Sequence, residues 1–231
     1  MSQVSPGHRS ERLIDSRLRV IDWNIWWRFG SRWQERQPLI LDVLRHIDAD
    51  IVTLQEVWGD DSGNQAAEFA AELGYVGVYE PASHIDGIGF GNAILSRWPI
   101  QRQAIVALPS VPNDDGGRNC NAVYARIDGP RGGIDVCSAH LSYKPAESAI
   151  RRQQVAALCK FVSELGAGRF PLIGGDFNAV PEADEIRAMT GKTAPPVEGQ
   201  VFYDAWEAAG QVDAGFTWDN ANPNAVTALE P

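Results

Sequence analysis

An α/β fold is predicted by three observations. Short apolar runs rich in β-branched residues recur along the chain and stop at polar or titratable side chains, and between several of them lie stretches whose apolar residues repeat at helical spacing. The third observation is size: 231 residues can bury one sizeable core, and no stretch reads as a linker between domains. One domain is therefore expected over residues 17–231, preceded by a flexible tail over 1–16 that is polar and charged and lacks the apolar centre of a signal peptide or membrane anchor. That reading predicts a cytoplasmic protein with no transmembrane segment. Acidic side chains outnumber basic ones by 30 to 20, a net charge of −10, which argues against capture of nucleic acid by a broad basic surface. The cysteines, Cys120, Cys137 and Cys159, are odd in number and form no Cys-x-x-Cys pair, so neither a disulfide framework nor a zinc cluster is indicated.

The elements follow in order. Residues 18–24, Leu-Arg-Val-Ile-Asp-Trp-Asn, predict a strand with Asn24 at its exit, followed by the aromatics Trp26, Trp27, Phe29 and Trp33, which read as packing. Over 37–47, Leu39, Ile40, Val43, Leu44 and Ile47 predict a helix packed by one face. Residues 50–56 predict a strand that delivers Glu56 where the apolar run stops. Residues 65–73 predict an alanine-rich helix stopped by Gly74, and 75–79 a strand. Gly87, Gly89 and Gly91 have the wrong spacing for a dinucleotide fingerprint and are expected in a loop feeding a strand over 92–96. After Pro99, a polar loop with Asp114, Asp115, Gly116 and Gly117 leads to Arg118 and a strand over 122–127.

Residues 134–141 predict a strand ending at His140, whose imidazole is suited to acid, base or phosphate-donor chemistry near neutral pH. Pro145 opens a helix buried through Ile150, Val155, Leu158, Cys159, Val162 and Leu165, with Arg151 and Arg152 outside that face, and Gly166 ends it. The stretch 170–178, Phe-Pro-Leu-Ile-Gly-Gly-Asp-Phe-Asn, predicts a buried strand breaking into a loop, with Asp176 and Asn178 on one side of an extended backbone and Phe177 behind them. Short helices are expected over 182–189 and 202–209. Four strands thus end in Asn24, Glu56, His140 and the pair Asp176 with Asn178. Sheets build sites from residues that several strands carry to one rim, so the joint pattern points to a site where any single member would not.

The motifs Trp23-Asn24, Leu54-Gln55-Glu56, Gly91-Asn92-Ala93-Ile94-Leu95-Ser96-Arg97, Ala139-His140-Leu141, Gly175-Asp176-Phe177-Asn178 and Gly215-Phe216-Thr217-Trp218 stand in this order. In them the sequence resembles the endonuclease/exonuclease/phosphatase superfamily, the DNase I-like phosphoesterases. The resemblance implies a four-layer α/β sandwich, with two mixed sheets face to face and helices outside, and hydrolysis of a phosphodiester or phosphomonoester by direct attack of water. It implies Mg²⁺ as the cofactor, with Mn²⁺ as a substitute. Carried over by position, Glu56 looks like the metal carboxylate and Asn24 its neighbour at metal and phosphate. His140 looks like a contact of the scissile phosphate, and Asp176 and Asn178 like the pair that orients the attacking water and a phosphate oxygen. Arg118 stands where some relatives contact phosphate. A divalent ion that offsets repulsion between anions, with fixed groups aligning the water, suits this chemistry. One carboxylate with amide and water oxygens suits Mg²⁺, whereas zinc would want more His or Cys.

The chain departs from the family pattern at its end. Relatives close with a strand bearing Ser-Asp-His, but there is no Asp-His dipeptide here and the sequence stops at Pro231. The expectation is a domain incomplete at its C-terminus. The alternative function is then a catalytically deficient phosphate-binding or interaction module. The expected partner is a phosphoester substrate, with nucleic acid, phospholipid head group and small molecule all open, and no protein partner is predicted.

Overall fold

The computed structural model describes residues 17–110, 119–166, 170–210, 213 and 215–218. The chain divides into two compact units. Of the described residues, the first takes in 17–107 together with 120–140 and 171–176, and the second those within 108–119 and 141–170 and from 177 onward.

The first unit is built on two mixed sheets. One contains β1 (Val20–Asn24), β2 (Ile51–Asp60), β5 (Ile88–Ser96) and β4 (Val76–Ile85) in the order β1-β2-β5-β4, with β3 (Gly63–Asn64) paired to β2. The other has the order β6-β7-β8-β9: Ile100–Leu108, Cys120–Gly129, Gly132–His140 and Leu172–Asp176. Parallel pairs, β1 with β2 and β8 with β9, stand beside antiparallel ones in each sheet, so both are mixed as predicted. Ile51 and Ile94 from the first sheet meet Val123, Ala125, Ile127 and Val136 from the second in a fully buried cluster between them. On the other side of the first sheet, α1 (Trp33–Ile47) supplies Ile40 and Leu44, and α2 (Gln65–Leu73) supplies Ala66, Phe69 and Ala70, to a cluster with Val52, Leu54, Val57, Ala93 and Leu95. Alternation explains this: Val52 and Leu54 face the helices while Ile51, Thr53 and Gln55 face the second sheet.

Helix α2 matches its predicted bounds, capped by the Asn64 side chain and by Gly74 in the left-handed region, with φ 69°. Other expectations are corrected. Helix α1 begins four residues early, and only Ile40 and Leu44 are buried. Leu39, Val43 and Ile47 form an outer stripe. Gly89 and Gly91 lie within β5 rather than in a loop, because β4 and β5 form a long hairpin turned at Asp86 and Gly87. There a side chain at Gly91 would sit 2.0 Å from the Glu80 carbonyl oxygen. Strand β6 fills the stretch after Pro99, where a loop was expected.

In the second unit, a 3-10 turn (Pro145–Glu147) leads into α3 (Ser148–Gly166), followed by α4 (Asp184–Met189) and α5 (Ala205–Ala208). Arg151 is not outside the buried face but only 4% exposed, bound to the equally buried Glu185 at 2.7 Å and to the carbonyls of Ser142, Lys144 and Pro145. Among the described residues no helix is long and apolar enough to cross a membrane.

Candidate active site

Strand register brings the site together in the first unit. In the parallel pair β1 and β2, Asn24 lies opposite Gln55, one residue before Glu56. In the parallel pair β8 and β9, His140 lies opposite Asp176.

Glu56 was expected at a strand end, but β2 runs on to Asp60. The strand instead bulges: between the pairs Leu54 with Ala93 and Val57 with Gly91, two residues, Gln55 and Glu56, are set against one, Asn92. The bulge shifts the parity, so Val57 rejoins the helix-facing core and Glu56 turns out of the ladder with φ 57°. Left-handed backbone at a glutamate costs about 1–2 kcal/mol, which the flanking strand pairing must hold.

Asn24 links the carboxylates. Its Nδ2 donates to Glu56 Oε1 at 3.0 Å and to Asp176 Oδ2 at 2.9 Å, while its Oδ1 accepts from the Trp26 backbone N–H at 2.9 Å. Both protons of the amide are thereby committed to carboxylates contributed by two sheets. Glu56 is 8% exposed, and its second oxygen, Oε2, is buried without a hydrogen-bond partner. His140 Nε2 lies 3.8 Å from Asp176 Oδ2, too long for a hydrogen bond but close enough for charge attraction once the ring is protonated. The Phe90 ring, centred 5.9 Å away, packs against the imidazole.

Sequence reasoning passed over the support beneath these groups. Asp22 Oδ1 accepts from Thr53 Oγ1 at 2.7 Å and from Gln55 Nε2 at 2.9 Å, and the same Gln55 nitrogen reaches Ser138 Oγ at 3.1 Å. Asp22 is exposed as a residue of the edge strand, yet its carboxylate is enclosed by these partners. Desolvation raises the carboxyl above its ordinary value, and the charge of Asp176 adds to the rise, against hydrogen bonds that lower it. The available signal was alternation, since Asp22 stands two residues before Asn24 on the same strand face. Gly174 allows the close approach of β9: a Cβ there would lie 2.1 Å from Thr53 Oγ1 and 2.7 Å from Asp22 Oδ1.

Asn178 does not continue the face of Asp176. β9 ends at Asp176, and Asn178, with φ 48°, falls in the second unit, where its Nδ2 donates to the Leu141 carbonyl at 3.1 Å. Arg118 lies outside the described residues.

No group of three or more His, Cys, Asp or Glu side chains among the described residues is arranged to hold a metal. The donor set of Glu56 and Asp176 nonetheless fits a hard cation that keeps much of its water, because such an ion needs only one or two carboxylates. Asn24, expected as a ligand, turns its amide nitrogen to both carboxylates and its oxygen to the Trp26 N–H, so it holds the carboxylates and does not face an ion. The unpartnered Glu56 Oε2 is the orphaned atom such an ion would satisfy.

Two mixed sheets with helices, presenting amide, carboxylates and imidazole on adjoining strands, define the DNase I-like class. The chain belongs to the Endonuclease/Exonuclease/phosphatase family, whose profile matches residues 23–228. Members of that family are hydrolases of phosphate esters. The Escherichia coli K12 protein YbhP is 33% identical over 163 residues, spanning 61% of this chain and 58% of YbhP. This chain therefore spans less than two thirds of that relative. Among solved structures, the human Nocturnin catalytic domain with bound sulfate shares 24% identity at a TM-score of 0.64, covering 75% of this chain and 69% of that one. ANGEL2, described as a 2',3'-cyclic phosphatase in complex with adenosine-2',3'-vanadate, shares 21% identity at a TM-score of 0.58, covering 81% and 64%.

Proposed function

We propose that the chain is a Mg²⁺-dependent phosphoesterase that cleaves a phosphodiester or phosphomonoester by direct attack of water. Family membership supports the reaction class, and one observation carries the assignment to this site. A single amide, Asn24 Nδ2, is shared by Glu56 and Asp176 while Glu56 keeps a buried oxygen without a partner.

Glu56 would hold the metal, which when bound offsets the negative charge of the phosphate, while Asn24, whose amide nitrogen and not its oxygen faces the carboxylates, would hold Glu56 in place. Glu56 Oε1 is fixed by Asn24, so Oε2 is the oxygen left to face a cation. Asp176 accepts from Asn24 through Oδ2 and orients the attacking water through its carboxylate, and Asn178 is kept as a proposed contact of a phosphate oxygen. His140, once protonated, donates to the phosphoryl group, and Phe90 restricts the tilt of its ring. Arg118 is a proposed further phosphate contact.

The test is Glu56→Gln, titrated with Mg²⁺ by calorimetry beside the parent and assayed on a chromogenic phosphodiester and monoester. The expected result is at least about a tenfold loss of Mg²⁺ affinity with an unchanged unfolding midpoint, since the variant keeps shape while removing charge. Equal affinities would remove Glu56 from the metal site. Metal and phosphate binding without turnover would identify a binding module instead.

A further inference from the structure

Arg36, in the second turn of α1, touches neither carboxylate, yet it organises the loop that leaves Asn24. Its Nη1 donates to the Phe29 carbonyl at 3.1 Å, and its Nη2 donates to the carbonyls of Trp26 at 2.8 Å and Trp27 at 2.9 Å. The guanidinium also stands 4.9 Å from the centre of the Trp26 ring. Three carbonyls converge on one side chain because the loop is wound the wrong way for ordinary residues. Trp26 and Trp27 have φ of 61° and 31°, and Gly30, at 77°, closes the turn against the Trp26 ring, with 3.3 Å between that ring and a Cβ built on the glycine. Bulky aromatics do not hold left-handed backbone unaided.

The loop is wired to the site at two points. The Trp26 N–H fixes Asn24 Oδ1, and this sets which end of the Asn24 amide faces Glu56 and Asp176. The Trp27 N–H donates to the Glu56 carbonyl at 2.9 Å, pinning the bulge that turns Glu56 out of β2.

We propose that Arg36 is a positioning residue for this site: by gathering the carbonyls of Trp26, Trp27 and Phe29 it holds the left-handed loop that orients the Asn24 amide and the Glu56 bulge. The role suits arginine, whose planar fork reaches several acceptors at fixed angles, and not lysine, whose ammonium is a single point on a flexible stem. In its consequence for Mg²⁺ the proposal rests on the phosphoesterase reading, but the orientation of Asn24 does not.

The experiment compares the parent with Arg36→Lys, Arg36→Met and Gly30→Ala, which strains the same loop from its other side, and with Val136→Ala, a core change between the sheets. Mg²⁺ affinity is read by calorimetry at a temperature where all are folded, and the Asn24 side-chain amide signals are read by NMR without metal. Loss of support to a metal ligand typically weakens affinity about 10- to 100-fold, and that loss is expected in all three loop variants but not in Val136→Ala, even at an equal drop in unfolding midpoint. The Asn24 amide signals should move in the loop variants and stay in place in Val136→Ala. If the parent binds no Mg²⁺, the phosphoesterase reading fails, and the NMR arm alone decides the positioning role. Asn24 signals unchanged in Arg36→Lys and Gly30→Ala would overturn the proposal, as would Mg²⁺ affinity no weaker than in Val136→Ala.

Discussion

Asp176 shows how much a single carboxylate is asked to do. It accepts the Asn24 amide, faces His140 across 3.8 Å and sits where β9 ends against β8. Asp176→Asn keeps the shape but replaces an acceptor-only group with an amide that cannot orient water as a charge does. Turnover on the best phosphoester should fall by at least roughly 10²-fold, the usual scale of acid–base contributions, with substrate binding changed less. Steady-state kinetics separate the two, and near-parent turnover would remove Asp176 from the reaction. That Asn24, Glu56, His140 and Asp176 come together was legible because apolar runs ending in polar side chains survive as a one-dimensional pattern. Asp22 and Arg36 were not, because their roles depend on which strand or loop lies opposite, and register is not written in local composition. Asn178 followed the alternation of an extended chain only in the sequence, since its left-handed backbone breaks the period.

Elements diverged from expectation where periodicity gave no warning. Strand β2 was expected to stop at Glu56, and a bulge carried it through to Asp60. Strand β6 was hidden because Gln101, Arg102 and Gln103 are exposed and break the apolar run. Arg151 reads on a helical wheel as a solvated cation, but the buried Glu185 of α4 and three carbonyls before α3 enclose it. Removing one member leaves the other charge buried and unpaired, so Arg151→Met should destabilise by about 3–5 kcal/mol in denaturant unfolding. The pair also sets a pH dependence. Desolvation opposes the Glu185 carboxylate, but hydrogen bonds from Arg151 and Ser148 outweigh it and hold its pKa below the ordinary 4.5. A depressed carboxylate stabilises above its unfolded pKa, and that contribution disappears as pH falls through the folded value. Stability of the parent should therefore decline more steeply below about pH 4.5 than that of Glu185→Gln, measured by unfolding midpoint against pH.

At the scale of the whole molecule, the fold class was the most legible feature, since it needs only the succession of apolar runs and helical stretches. The partition into two compact units was not, because the first unit collects segments from three separate parts of the chain. That partition gives the three thiols a use as clocks. Cys120, Cys137 and Cys159 are all buried thiols outside any disulfide. Desolvation pushes the Cys137 thiol far above its ordinary value and the Cys159 thiol up to about 12, so almost no thiolate exists in the folded state to attack an alkylating reagent. Alkylation must wait for opening, and the wait is recorded separately for each unit, because Cys137 belongs to the first and Cys159 to the second. Pulse alkylation read by mass spectrometry should find Cys137, on a strand paired on both sides, slower than Cys159, on a helix. Identical rates across a denaturant series would mean that the two units open as one, and the labels would then time a single event.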